Sequence, residues 1–161
     1  MNMVFNTLRN SNITSELGDN DINLIQGLFD VQEFKAGEAV ALVTTEHPDS
    51  LHVVAQGNVE VKSGDDENQT THHVLKQGDL AGMITFVGGD SSKVSASLHA
   101  AGDVKILSLK QSKFKDLVVS QPMIAHHIMR GVARSLHDIV RRSNTESREM
   151  NNYINRANGR Y

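Results

Sequence analysis

Between Val31 and Leu109 the chain is written in short period-two segments separated by glycine-bearing turns; after Leu109 the period becomes helical and stays so. That switch constrains the fold more than any other feature. Residues that alternate in and out need a sheet, whereas apolar residues three and four apart need a helix lying on another surface. Val31, Glu33 and Lys35 alternate with Gln32, Phe34 and Ala36, and Gly37-Glu38 turns into an apolar run over 39–43. A loop over 44–50 precedes the strand Leu51-His52-Val53-Val54-Ala55, and Gly57-Asn58 turns into Val59-Glu60-Val61-Lys62. A polar hairpin tip at 64–69 leads to a strand at 70–75, with further strands at 93–99 and 104–109. Short strands at regular spacing, joined by such turns, specify a mainly β body of sandwich or barrel type.

Helices flank that body. Residues 1–20 read as a polar, weakly structured segment. Gly18-Asp19-Asn20-Asp21 then caps an amphipathic helix carrying Ile22, Leu24, Ile25, Leu28 and Phe29. After the strands, Phe114, Leu117 and Val118 fall at helical spacing over 112–121, and Pro122 suits the first turn of a second helix. This helix is long, extending over 122–154, with a frayed tail at 155–161. Ile124, Ile128, Val132, Leu136 and Val140 form one i, i+4 row, beside a heptad-like seam of Met129, Val132, Leu136 and Ile139. The apolar surface is wider than one contact with the β body requires, so a homodimer through this helix is expected. Ser143 and Glu146 interrupt the seam before Met150 and Tyr153 resume it.

The stretch 77–97 has the form of a binding loop. Gly78 and Gly82 bracket a tight passage, Met83-Ile84-Thr85-Phe86-Val87 suits one short helix, and Gly88-Gly89-Asp90-Ser91-Ser92 forces a loop before the next strand. A helix that opens just after a glycine presents unpaired N–H groups, which favour an anion such as a phosphate.

Composition removes several alternatives. With no cysteine, the chain has no disulfide, thiolate nucleophile, cysteine-bound zinc or iron–sulfur cluster. It has neither a long uncharged apolar run nor a signal-like start, which leads to the expectation of a soluble, cytoplasmic protein with no membrane partner. The net charge of −3 argues against general nucleic-acid binding. No Gly-x-Ser-x-Gly elbow supports Ser91, Ser92, Ser95 or Ser97 as a nucleophile, and an enzyme is not expected.

The order and spacing of three motifs carry a resemblance: Phe34-Lys35-Ala36-Gly37-Glu38, Gly57-Asn58-Val59-Glu60-Val61, and Gly78-Asp79-Leu80-Ala81-Gly82. Together with an entry to a helix at 109–114 and the helix start at Pro122, the chain from about Ile22 to about Met150 resembles the cyclic-nucleotide-binding domain superfamily, the sensor half of catabolite-activator-type regulators. The resemblance implies a double-stranded β-helix, a jelly-roll-like β-roll of eight strands with flanking helices over 21–121, followed by a C-terminal dimerisation helix. It also implies a phosphate-binding cassette at Gly82, Met83, Ile84, Thr85, Lys93, Val94 and Ser95.

Where the family has a Glu for the ribose this chain has Met83, and where the family has an Arg for the phosphate it has Lys93 or Val94. Ile139 and Val140 stand where polar helix side chains often meet the base. A buried unpaired polar group costs about 1–3 kcal/mol, and lysine lacks arginine's planar fork. At about 1.4 kcal/mol per tenfold, these changes weaken an ordinary cyclic nucleotide by several powers of ten. The expectation is therefore a stand-alone, dimeric sensor domain with a degenerate cassette that binds a cyclic nucleotide, another small anion, an unidentified small molecule or a partner protein. A genuine cyclic-nucleotide receptor with an unconventional pocket is the alternative, and a cupin-like metal enzyme the third. The histidines argue against the third: His72 and His73 are sequential on a strand, and His47 and His52 lack a close His-x-His pair. His126, His127 and His137 are expected on the exposed or dimer-flanking face of the long helix. The chain ends soon after Met150, so no sequence-specific DNA-reading element is expected, and the Arg-rich tail reads as a solvated face.

Overall fold

The computed structural model describes residues 2–40, 49–63, 70–89 and 96–157. The period-two segments become β1 (Phe29–Phe34), β2 (Leu51–Gln56), β3 (Val59–Ser63), β4 (Thr70–Leu75), β5 (Leu80–Ala81), β6 (Ala96–Ala100) and β7 (Val104–Leu109). They form a four-stranded sheet in the order β1-β7-β2-β5 and a three-stranded sheet in the order β4-β3-β6, with every pairing antiparallel. Ala39 adds a single bridge to His99, and the rest of the expected strand over 39–43 lies outside the described residues.

Strand alternation explains the layering. On one face of the larger sheet, Phe29, Leu51, Val53, Leu107 and Leu109 pack against the helices; on the other, Val54, Val104 and Ile106 meet Val59 and Ala100 of the smaller sheet. The larger sheet is thus the middle layer of three, and β2 is buried along Leu51 to Ala55 because both its faces are covered.

The N-terminal segment differs from the weakly structured reading. Met3–Arg9 forms helix α1, whose Asn2 side chain accepts the Val4 amide as a cap. Leu8 is fully buried, with Met3, Val4 and Phe5 packed at the edge of the same core. Four apolar side chains among polar neighbours are enough once a core is there to receive them. A 3-10 turn at Asn12–Thr14 follows, then α2 (Asp19–Ile25), whose Asp21 carboxylate accepts the Gly18 amide.

C-terminal to β7 come α4 (Gln111–Ser120) and α5 (Pro122–Ala157). With 36 residues α5 is about 54 Å long, and it extends three residues beyond the expected end. Its first half is anchored. Ile124, Ala125, Ile128, Gly131 and Val132 are buried, and Gly131 is a notch for the 3-10 turn: a Cβ there would lie 2.5 Å from the Ile13 Cα and 2.7 Å from the Asn12 carbonyl oxygen. Around that contact the Glu16 carboxylate accepts from His127 at 2.8 Å, Arg130 at 3.0 Å and Arg134 at 3.1 Å. From His137 to Ala157 every side chain of α5 is exposed.

Candidate functional site

Gly82 sets the geometry of the cassette. Its φ of +74° is the left-handed conformation that turns β5 into the four-residue helix α3 (Met83–Phe86). No side chain fits there, since a Cβ would lie 2.8 Å from both the Ser50 carbonyl oxygen and the His52 ring. The first helical bond runs from the Phe86 amide to the Gly82 carbonyl, so the amides of Met83, Ile84 and Thr85 take no partner within the helix.

The side chains above this backbone are apolar or already engaged. Met83 is only 6 % exposed and belongs to the helix-side core. Phe86 anchors the same turn, edge-on to Phe114 of α4 with ring centroids 5.1 Å apart. The Thr85 hydroxyl donates back to the Gly82 carbonyl at 3.1 Å. Ile84, 46 % exposed, presents an apolar surface. From Leu80 to Gly89 there is no ionisable side chain. Lys93, Val94 and Ser95 lie outside the described residues.

Beneath the cassette runs a polar chain that the sequence pattern did not reveal. Ser108 Oγ donates to Gln32 Oε1 at 2.9 Å, leaving its lone pairs for the Nδ1–H of His52 at 2.7 Å. Gln32, Ser108 and His52 stand on adjacent strands β1, β7 and β2, so the chain crosses the sheet and reaches Gly82. His52 and Ser108 are at most 1 % exposed, and the His52 ring lies against Gly82 where the cassette begins. Their pairing depends on strand register between residues 56 apart and leaves no local signal.

The other histidines disperse. His73 meets Arg142 of α5, His99 meets Ser97, and His127 meets Glu16. Among the described residues no three His, Asp or Glu side chains gather into a metal-binding group. His47 lies outside the described residues. A shallow cavity of about 210 Å³ lies between α2 and α4, lined by Leu24, Leu28, Lys113, Asp116 and Leu117, none of which belongs to the cassette. No helix among the described residues is long and apolar enough to cross a membrane.

The expected dimer seam divides. Val132 is 1 % exposed and Leu136 packs on the same helix-side core, so both serve the chain's own interior. Met129 and Ile139 are exposed, as are Val140, Met150, Tyr153 and Ile154 further along.

A roll of two antiparallel sheets, a glycine-capped cassette helix and a long terminal helix now stand together, and the family model of the cyclic nucleotide-binding domain matches residues 31–121. The chain belongs to that family. A cyclic nucleotide-binding domain from Methylobacillus flagellatus kt is similar in structure with a TM-score of 0.73 at 15% identity, covering 89% of this chain and 80% of that one. The catabolite activator protein of Thermus thermophilus gives 0.64 at 22% identity, over 85% of this chain and 63% of that one. The regulatory subunit of a cAMP-independent protein kinase A from Trypanosoma brucei, as a triple mutant bound to cAMP in the A site, gives 0.61 at 20% identity, over 81% and 44%. At these identities the likeness is one of fold. A comparison with curated proteins found no match. The cyclic nucleotide-binding domain of this chain therefore has the regulatory, sensor-type fold of its family, and the β-roll with flanking helices and a long C-terminal helix is as the sequence implied.

Proposed function

We propose that this domain is a non-enzymatic regulatory sensor whose cassette has lost the side chains that select a cyclic nucleotide, so that it does not take cAMP or cGMP in the usual way. The observation that carries this is the lining of α3. Where a ribose hydroxyl would need an acceptor, Met83 offers a thioether committed to the core, and the single hydroxyl of the turn, on Thr85, is spent on Gly82. What remains for a ligand is the backbone of the turn and the apolar face of Ile84. The fold does not dictate the ligand, since one neighbour is described both as part of a cAMP-independent kinase and, as a triple mutant, with cAMP bound.

The second reading is a receptor that holds a cyclic nucleotide or another small anion through backbone amides, with Lys93 as its cation. The amides of Met83, Ile84 and Thr85 favour it. Thermal shift separates the two. A ligand of micromolar affinity at about 1 mM adds about 4 kcal/mol, or roughly 8–16 °C for a chain of this size. The first reading expects no shift with either nucleotide, and a shift of that size supports the second.

The domain acts as a homodimer through α5, using the exposed residues Met129, Ile139, Met150 and Tyr153, with Val132 and Leu136 holding the helix to the chain's own helix-side core. Its output passes to a partner protein. Replacing Ile139 and Tyr153 with glutamate is expected to yield monomers by light scattering, and a retained dimer would remove these residues from the interface.

A further inference from the structure

Helix α5 meets the β-roll far from its anchor on the 3-10 turn. Arg142 Nη1 lies 2.8 Å from Nε2 and 3.3 Å from Nδ1 of His73 on β4, so a guanidinium from the exposed half of the helix is laid against the imidazole. By register His73 pairs with Val61, two residues before Leu75, which packs in the core between the sheets; His73 is therefore on the inner face of the smaller sheet. Between Leu136 and Ala157 this is the one side-chain bond from α5 to the β-roll among the described residues. The first half of the helix, by contrast, is held by five buried positions and the Glu16 cluster.

Resting on the reading of α5 as the dimerisation helix, we infer that the Arg142–His73 contact is a latch that holds the distal half of α5 across the roll, and that acid releases it. The physical reason is the donor inventory. A guanidinium only donates, and with one Nη1 within 3.3 Å of both ring nitrogens it suits a neutral imidazole, whereas an imidazolium sets a second positive charge against Arg142. The charged groups facing His73 among the described residues are Arg142 and Glu146 of α5 and Lys76 and Asp79 of the β4–β5 turn. Burial first, and then Arg142, lower its pKa from the ordinary 6.5, against the opposing pull of Asp79 and Glu146. The sign follows: the latched state prefers neutral His73, so its advantage is complete above about pH 6.5 and declines as the released state takes up a proton below it.

The absence of native cysteine allows clean double labelling. Spin labels at Thr71→Cys on β4 and Glu149→Cys on α5, diluted with unlabelled protein so that only distances within one chain are read, report the position of the helix. At about pH 8 a single narrow distance is expected, and at about pH 5 most of the population is expected to move to longer, broader distances. His73→Gln, whose amide oxygen still accepts but does not ionise, is expected to keep the short distance at both pH values. Arg142→Ala is expected to lose it at both. An unchanged wild-type distance, as when Glu146 simply takes over the charged ring, overturns the inference, and so does an acid shift that survives in His73→Gln. No nucleotide is present, so the outcome is independent of what the cassette binds.

Discussion

Replacing Gly82 with alanine tests the cassette where its geometry is most exacting. Two costs act together. A non-glycine residue in the left-handed region costs about 1–2 kcal/mol. The new Cβ would also stand 2.8 Å from the Ser50 carbonyl oxygen and 2.8 Å from His52 Cδ2. Neither neighbour yields easily: one is backbone, and the other is a fully buried ring hydrogen-bonded to Ser108. Overpacking of this kind costs about 1–3 kcal/mol. Gly88 is the matched control, because its φ is +90° but nothing lies within 4 Å of the Cβ position. Gly88→Ala should therefore carry the backbone cost alone. At about 2–4 °C per kcal/mol for a chain of this size, thermal melts should place Gly82→Ala below Gly88→Ala by roughly 2–12 °C. Equal melting temperatures would refute the claim that His52 and Ser50 clamp the start of the cassette.

Other outcomes follow from the same geometry. Gly131→Ala gains about 1 kcal/mol of helix propensity but must push the 3-10 turn off α5 at about 1–3 kcal/mol, so its melting temperature should not rise; a clear rise would contradict the notch. The Glu16 carboxyl is lowered from 4.5 to about 2, chiefly by the hydrogen bond from His127 and, against the opposing effect of burial, by Arg130 and Arg134. Its stabilisation is therefore present above about 4.5 and lost as pH falls through about 2; melts of Glu16→Gln should lie below wild type at neutral pH and converge with it at the acid end, and parallel curves would remove the clamp. Met83→Glu places a carboxylate in the helix-side core and should destabilise by about 2–5 kcal/mol, and an unaltered melt would mean that position 83 faces solvent.

The strands, the glycine turns and the long helix were legible because period and punctuation are local properties. Residues 70–75 and 104–109 were read to the residue, while α1 was missed because four apolar side chains in a polar stretch become a signal only when a core exists to bury them. The site was legible in outline only. Gly82 could be placed from spacing, but the sequence does not say whether Met83 points into the roll or into the helix-side core, and burial resolves it in favour of the core. Val132 belongs to both the i, i+4 row and the heptad seam, and periodicity cannot choose between two surfaces that share a residue. The pairs Glu16 with Arg130, His52 with Ser108 and His73 with Arg142 span 114, 56 and 69 residues, so each is created by the fold.

The central claim is that the cassette keeps its family's backbone and has lost its selectivity. Calorimetric titration of the whole chain with cAMP and with cGMP tests it most directly. The account predicts no saturable heat with either nucleotide at concentrations up to about 1 mM, the affinity range left once several powers of ten are removed from an ordinary site. A stoichiometric isotherm of micromolar affinity with either nucleotide would contradict it.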